Sequence, residues 1–263
     1  MIRTLILCAV VTVAATPLSA TTIRSTLTNF FHGMSIQYST NGTTFTTGSV
    51  GLIQGTRATG AYTDAAAGTE QSSAAVAPGG VFYAFCVELT ETTSLNTSYL
   101  FNWSQVTAAP TSVAASMNDQ RANLLGELLY RNVPVLNQSL GQSTTAATEL
   151  TARSLQLAIW EIVHEQTTAN TIALSALNVT TGNVRFARST NTVQATHDAV
   201  ITQANTYLAQ LTGAMSEIER RYRTLTIGST QDLLIGTPEP GTFFAIGIGL
   251  TCLFAVARRR KTI

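Results

Sequence analysis

Lysine is absent from this chain until position 261, and cysteine occurs only at positions 8, 86 and 252. Between positions 21 and 238 the chain holds ten arginines and thirteen acidic residues, so the segment is slightly acidic. Because it offers no basic patch, nucleic acid is not expected as a partner. Cys86 lies alone between the two terminal regions, which excludes an internal disulfide there and leaves either a reactive thiol or a buried, inert one.

The N-terminus has the pattern of a secretory signal peptide. Arg3 is followed by an apolar run from Leu5 to Ala15, and small residues lead to a cleavage point after Ala20. The run is shorter than the roughly 20 residues that a membrane span requires. The sequence therefore predicts a signal peptide over residues 1–20, with a retained N-terminal anchor as the alternative.

The C-terminus has the pattern of a membrane anchor. An apolar run over residues 242–257 precedes Arg258, Arg259 and Arg260. Arginines at a helix end extend toward the interface, and positive charge after the last apolar residue places that end in the cytoplasm. The predicted span therefore leaves the preceding domain outside the cytoplasm, in agreement with the signal peptide.

A short motif precedes this anchor, at Pro238, Glu239 and Pro240. The motif, one span and a terminal arginine cluster, in that order, resemble the PEP-CTERM sorting signal over residues 237–263. The resemblance implies a Gram-negative bacterium that makes extracellular polysaccharide. It also implies residence in the inner membrane before sorting, and recognition by an exosortase with cleavage near the motif. The alternative is a plain tail anchor after a proline-rich turn.

Residues 21–236 are enough for one sizeable domain, and their patterning predicts an α+β fold. Alternating and apolar segments predict short strands within residues 22–63, strands over Val81–Leu89 and Ser98–Trp103, and a final strand over 223–235. Apolar stripes at helical spacing predict helices over 119–132, 145–165 and about 192–211. The acidic residues of these helices are expected on solvated faces: Asp119, Glu127, Glu161 and Glu165.

Two segments carry the candidate chemistry, Phe85-Cys86-Val87-Glu88 and Gln156-Leu157-Ala158-Ile159-Trp160. Together they resemble the bacterial thioester domains, in which a cysteine after an aromatic residue joins a glutamine of a Gln-x-Ala-Ile-Trp helix. The resemblance implies a bond between Cys86 and Gln156, although Leu155 stands where Gram-positive members usually have threonine. Gln156 and Trp160 are four residues apart on one helix face, so the indole is expected to shield the bond.

A thioester is an acyl donor that an amine or hydroxyl group can attack. The implied function is adhesion: one covalent attachment to a surface or matrix component, with no enzymatic turnover and no cofactor or metal. A lysine-free domain offers such a bond no side-chain amine of its own, although an arginine bias in a GC-rich genome explains the same absence.

Two other functions remain open. The first is a structural protein of the extracellular polysaccharide matrix that lacks the bond. The second is a hydrolase that pairs Cys86 with His164 or His197, since such partners need only meet in space. His164-Glu165 does not predict a zinc helix, because Thr168 stands where the second histidine belongs.

Overall fold

The computed structural model describes residues 21–58, 63–64, 68–69, 79–111, 117–132, 145–165, 171–214, 222–228 and 231–236. The predicted signal peptide and the predicted C-terminal span lie outside these ranges. None of the helices within them is long and apolar enough to cross a membrane.

The N-terminal part of the domain is one long hairpin. Strand β1 (Thr21–Ser39) pairs antiparallel with β2 (Thr46–Arg57) in a register that runs from Ser25 opposite Arg57 to Tyr38 opposite Thr46. The prediction of several short strands here was wrong. The segment around His32 and Gly33 is a β-bulge, with His32 at φ 59°, so the strand bends and continues.

The remaining strands close this hairpin into a barrel-like sheet. They are β5 (Val81–Cys86), β6 (Thr97–Ser104), β7 (Arg185–Arg188), β8 (Tyr222–Thr226) and β9 (Leu233–Gly236), while β3 (Thr63–Asp64) and β4 (Gly68–Thr69) form a separate small pair. The strand order is β2-β5-β9-β8-β6-β1-β7, and β1 also pairs with β2. Six antiparallel strands therefore form a closed ring, and β7 extends it beside β1. The final predicted strand is in fact two strands, β8 and β9.

The described residues contain three helices beside this sheet, which confirms the mixed α+β class. They are α1 (Asp119–Asn132), α2 (Ala146–His164) and α3 (Gln194–Ala209), close to the predicted bounds. Helix α2 begins at Thr145, whose hydroxyl accepts the N–H of Thr148. It contacts β1, β2, α1 and α3, and every residue from Ser154 to His164 is buried. Val193, inside the predicted helix over about 192–211, is the residue just before α3 and is 70% exposed.

The packing of β5 against β2 depends on Gly55. Its cross-strand partner is Phe82, and a Cβ at position 55 would lie 2.2 Å from the end of the Phe82 ring. We expect Gly55→Ala to destabilise the domain by about 1–3 kcal/mol, because the buried ring must shift in a packed core. Urea unfolding would measure the loss. Gly228→Ala is the matched control, since a Cβ there meets nothing within 4 Å. Equal stability of the two variants would contradict this account of Gly55.

Candidate functional site

Cys86 and Gln156 meet at the end of β5. The backbone N–H of Cys86 donates to Oε1 of Gln156 at 2.9 Å, and Nε2 of Gln156 donates to the Cys86 carbonyl at 2.8 Å. Gln156 is completely buried, and Cys86 is 8% exposed with a free thiol. The structure therefore brings together the two residues that the sequence motif paired across 70 positions.

The strand pairing explains why a side-chain amide is needed here. β2 pairs with β5 only as far as Ile53 opposite Ala84. Val87, the next residue, donates its N–H to the carbonyl oxygen of Asp232, just before β9. Successive residues of a strand direct their backbone groups to opposite edges, so those of Cys86 point to the edge away from β9. Gln156 fills the place of the missing strand residue at that edge, and two buried backbone groups are thereby satisfied.

The thiol itself lies in surroundings that favour its protonated form. Burial, with the nearby negative charge of Glu88 as the second cause, raises the pKa of the Cys86 thiol to about 12. At neutral pH the thiol therefore keeps its proton, so any reaction of Cys86 requires a base to remove the proton as the sulfur attacks.

Trp160 lies one helical turn beyond Gln156 and is 4% exposed. Its ring stacks on Phe186 of β7, with ring centres 6.1 Å apart and planes tilted by 15°. Trp160 and Cys86 both belong to the hydrophobic core of the described segments. The indole N–H has no hydrogen-bond partner in those segments. Shielding of the pair by Trp160 stays a prediction.

The two histidines considered as partners for Cys86 lie in different places. His164, on α2, donates its Nε2–H to the carbonyl of Val87 at 2.8 Å, next to the cysteine. Burial lowers the pKa of His164 to about 4, so its ring is neutral at physiological pH. His197 contacts Asp198 on α3 at 3.1 Å. Within the described ranges no group of three or more metal-ligating side chains could hold a metal ion.

The prediction that the acidic residues of the helices face solvent was wrong for three of the four. Glu127 and Glu161 are completely buried and Glu165 is 5% exposed, whereas Asp119 is exposed. Each buried carboxyl group accepts one or more backbone N–H groups of a distant loop: Thr212 and Gly213 for Glu127, Asn178 for Glu161, and Asn183 and Val184 for Glu165. Helical spacing alone cannot reveal these partners, because they lie 17 or more positions away.

Glu88 belongs to the sequence motif around Cys86, but the sequence analysis assigned it no role. It follows Cys86 by two positions and is half-buried, and its Oε2 accepts the N–H of Asp232 at 2.9 Å. The alternation of side chains along an extended chain offered a signal, because residues two apart lie on one face.

Comparison with known proteins identifies the C-terminal segment. Residues 237–261 match the PEP-CTERM protein-sorting motif, which confirms that prediction from the sequence. This motif is the recognition signal for exosortase processing, and it implies an exported protein that is sorted at a membrane. No curated protein and no solved structure matches the chain.

Proposed function

We propose that this exosortase-sorted protein carries a domain that attaches covalently to a surface or matrix component through a thioester between Cys86 and Gln156. The acceptor is an amine or a hydroxyl group on that component. The reciprocal pair of hydrogen bonds between the Gln156 amide and the Cys86 backbone is the observation that carries the proposal.

These hydrogen bonds favour attack on the amide carbon. The Cys86 N–H donates to Oε1, where negative charge develops as sulfur attacks, so it acts as one donor of an oxyanion hole. The same residue that supplies this donor carries the nucleophile. Groups held in this way react as if at effective concentrations of about 10⁵ M or more when they are well oriented.

The reaction is balanced without any further reagent. A bond forms between Sγ of Cys86 and the amide carbon of Gln156, the C–N bond breaks, and the nitrogen leaves as ammonia with the thiol proton. An acceptor amine later attacks the same carbon. An amide then joins the acceptor to Gln156, and Cys86 leaves as a thiol.

Two features of the chain support a reactive bond in an exported protein. No lysine lies between the predicted signal peptide and the sorting motif, so no side-chain amine of the domain competes for the acyl group. Cys86 has no second cysteine in the domain with which to form a disulfide outside the cytoplasm.

A structural role without the bond is the second candidate, and the same contacts favour it. The Gln156 amide already hydrogen-bonds the backbone N–H and carbonyl of Cys86 at the end of β5. The Cys86 thiol is buried, and its pKa is raised to about 12. In that case Gln156 stabilises the end of the sheet, and the sorting motif alone determines where the protein acts.

Intact mass separates the two functions. We expect the exported protein, purified in detergent, to be lighter by one ammonia than the mass calculated from its processed termini, and to gain one methylamine on treatment with that amine. Cys86→Ala and Gln156→Ala should show neither change. Gln194→Ala, which removes an exposed glutamine on α3, should behave like the wild type.

The amount of free thiol, measured before and after methylamine treatment, is a second readout of the same experiment. Peptide mapping after thiol labelling separates Cys86 from Cys8 and Cys252. A thioester protein has no free thiol at Cys86 when native and gains one there after methylamine treatment. A full mass together with a native thiol that methylamine leaves unchanged would overturn the thioester and support the structural role.

A further inference from the structure

A small cavity of about 80 Å³ opens beside the candidate site. It is lined by Glu88, Leu89, Thr90, Pro110, Thr111 and His164. Neither Cys86 nor Gln156 lines it, so the cavity stops short of the pair. Two of the lining residues adjoin the site: Glu88 follows Cys86 by two positions, and His164 binds the carbonyl of Val87.

Glu88 connects this cavity to the thiol. Glu88 lines the cavity, and it follows Cys86 by two positions, so the two side chains lie on one face of the extended chain. The negative charge of Glu88 acts on the Cys86 thiol from this position. The N–H of Asp232 fixes the carboxyl at 2.9 Å, so the side chain has a defined position. The other group on the cavity wall that titrates, His164, uses Nε2–H to bind the Val87 carbonyl.

We propose that Glu88 is the proton relay between the buried Cys86 thiol and the solvent in this cavity. The inference rests on the proposed function where it concerns the thioester, and it extends to any reaction of this thiol. When the bond forms, the Cys86 proton passes to Glu88 and then to the leaving ammonia. When an acceptor amine attacks, its proton passes to Glu88 and then to the Cys86 sulfur.

The charges around Glu88 suit this role. Burial, followed by the negative charges of Asp232 just before β9 and of Glu91 in the β5–β6 loop, raises the pKa of Glu88 to about 7, and the N–H of Asp232 opposes this rise. His164 on α2 faces the same cavity as a neutral ring, and Arg121 on α1 helps to keep it neutral. A carboxyl that titrates near neutral pH can both accept and return a proton.

The alternative role for Glu88 is purely electrostatic, and it predicts the opposite sign. A negative charge beside sulfur disfavours thiolate formation. Replacing Glu88 with neutral glutamine would therefore speed every reaction in which the sulfur gains negative charge. A relay predicts that the same substitution slows those reactions. Glu88→Gln keeps a side-chain oxygen that can accept the Asp232 N–H, so the fold should be retained.

The test measures methylamine uptake by the full-length protein between pH 5 and 9, with rates referred to the free amine. We expect the wild-type rate to rise through about pH 7 and then level off. Glu88→Gln should be slower by about 10²-fold or more and lose this dependence. Glu149→Gln, on the first turn of α2, should match the wild type. A faster Glu88→Gln protein, or an unchanged pH profile, would overturn the relay.

If the intact mass shows no thioester, the proposed function fails and the relay is tested on the free thiol. The probe is then methyl methanethiosulfonate, with the rate of Cys86 modification followed by mass spectrometry. The relay predicts slower modification in Glu88→Gln than in the wild type. Faster or equal modification would overturn it.

Discussion

Arg121→Met is expected to destabilise the domain by about 3–5 kcal/mol, the largest loss that we predict for a single substitution. Arg121 is completely buried. Its guanidinium donates to the carbonyls of Ile162, Val163 and Glu165 at the end of α2, with distances of 3.2 Å to Val163 and 2.8 Å to Glu165.

The loss follows from the geometry of a helix end. The last carbonyls of a helix have no partner within the helix, and those of α2 lie in the core. Methionine fills much of the space but donates nothing, so buried acceptors lose their partners at about 1–3 kcal/mol each. The Glu165 carboxylate also loses the positive charge that faces it.

Urea unfolding in a Cys86→Ala background measures the change without interference from a possible cross-link. Arg131→Met is the matched control on the same helix. Its partner Glu127 keeps the donors Thr212 and Gly213, and the Arg131 side chain is 37% exposed, so the control should lose about 0–1 kcal/mol. Similar stabilities for the two variants would show that the α2 carbonyls find other donors.

Glu161→Gln is expected to stabilise the domain at pH 8 by a few kcal/mol and to have little effect at pH 4. Glu161 is completely buried. Its Oε1 accepts the N–H of Asn178 at 2.9 Å, and its Oε2 has no hydrogen-bond partner within the described residues. Burial, with the charge of Glu165 in addition, raises the pKa of Glu161 from 4.5 to about 9, against the opposing Asn178 bond.

The direction of this pH dependence follows from the Glu161 proton, which the folded domain keeps at pH values where the unfolded chain has lost it. The unfolded chain releases the Glu161 proton near pH 4.5, whereas the folded domain holds it until about pH 9. The contribution of Glu161 to stability is therefore complete below pH 4.5 and is lost as the pH rises toward 9, by up to about 1.4 kcal/mol per pH unit. Glutamine resembles the neutral acid and has no proton to lose.

Unfolding free energies at pH 4, 6 and 8, again in the Cys86→Ala background, measure this difference. Asp119→Asn removes an exposed carboxylate and is the control for the loss of one negative charge. If the difference in unfolding free energy between Glu161→Gln and its parent stayed constant with pH, the buried-acid explanation would be contradicted. Only titration of Glu161 makes this difference change with pH.

The sequence predicted well those features that depend on local spacing. The bounds of the three helices follow from apolar residues at helical intervals and, for α2, from the cap Thr145. The strand that carries Cys86 was predicted from an apolar segment, and the helix that carries Gln156 from an apolar stripe at helical spacing. The sorting motif over residues 237–261 was recognisable because its three parts occur in a fixed order.

Features that depend on distant partners could not be predicted in this way. The alternating segments within residues 22–63 suggested several short strands, but pairing with β2 on both sides of Gly33 makes a bulge within one strand. β7 was missed because its four residues form a strand only beside the C-terminal part of β1. Glu127, Glu161 and Glu165 were assigned to solvent because their loop partners are remote in the chain.

The sequence alone thus determined the helices, the motif pair Cys86 and Gln156, and the sorting signal, because each is encoded within a few consecutive turns or residues. Only the tertiary structure decided that the sheet closes and that the Gln156 amide completes the edge of β5. It alone placed Glu88, two residues from Cys86, on the wall of a cavity. These arrangements arise from backbone groups and charges that must be satisfied by partners far away in the chain, and local patterns do not specify such partners.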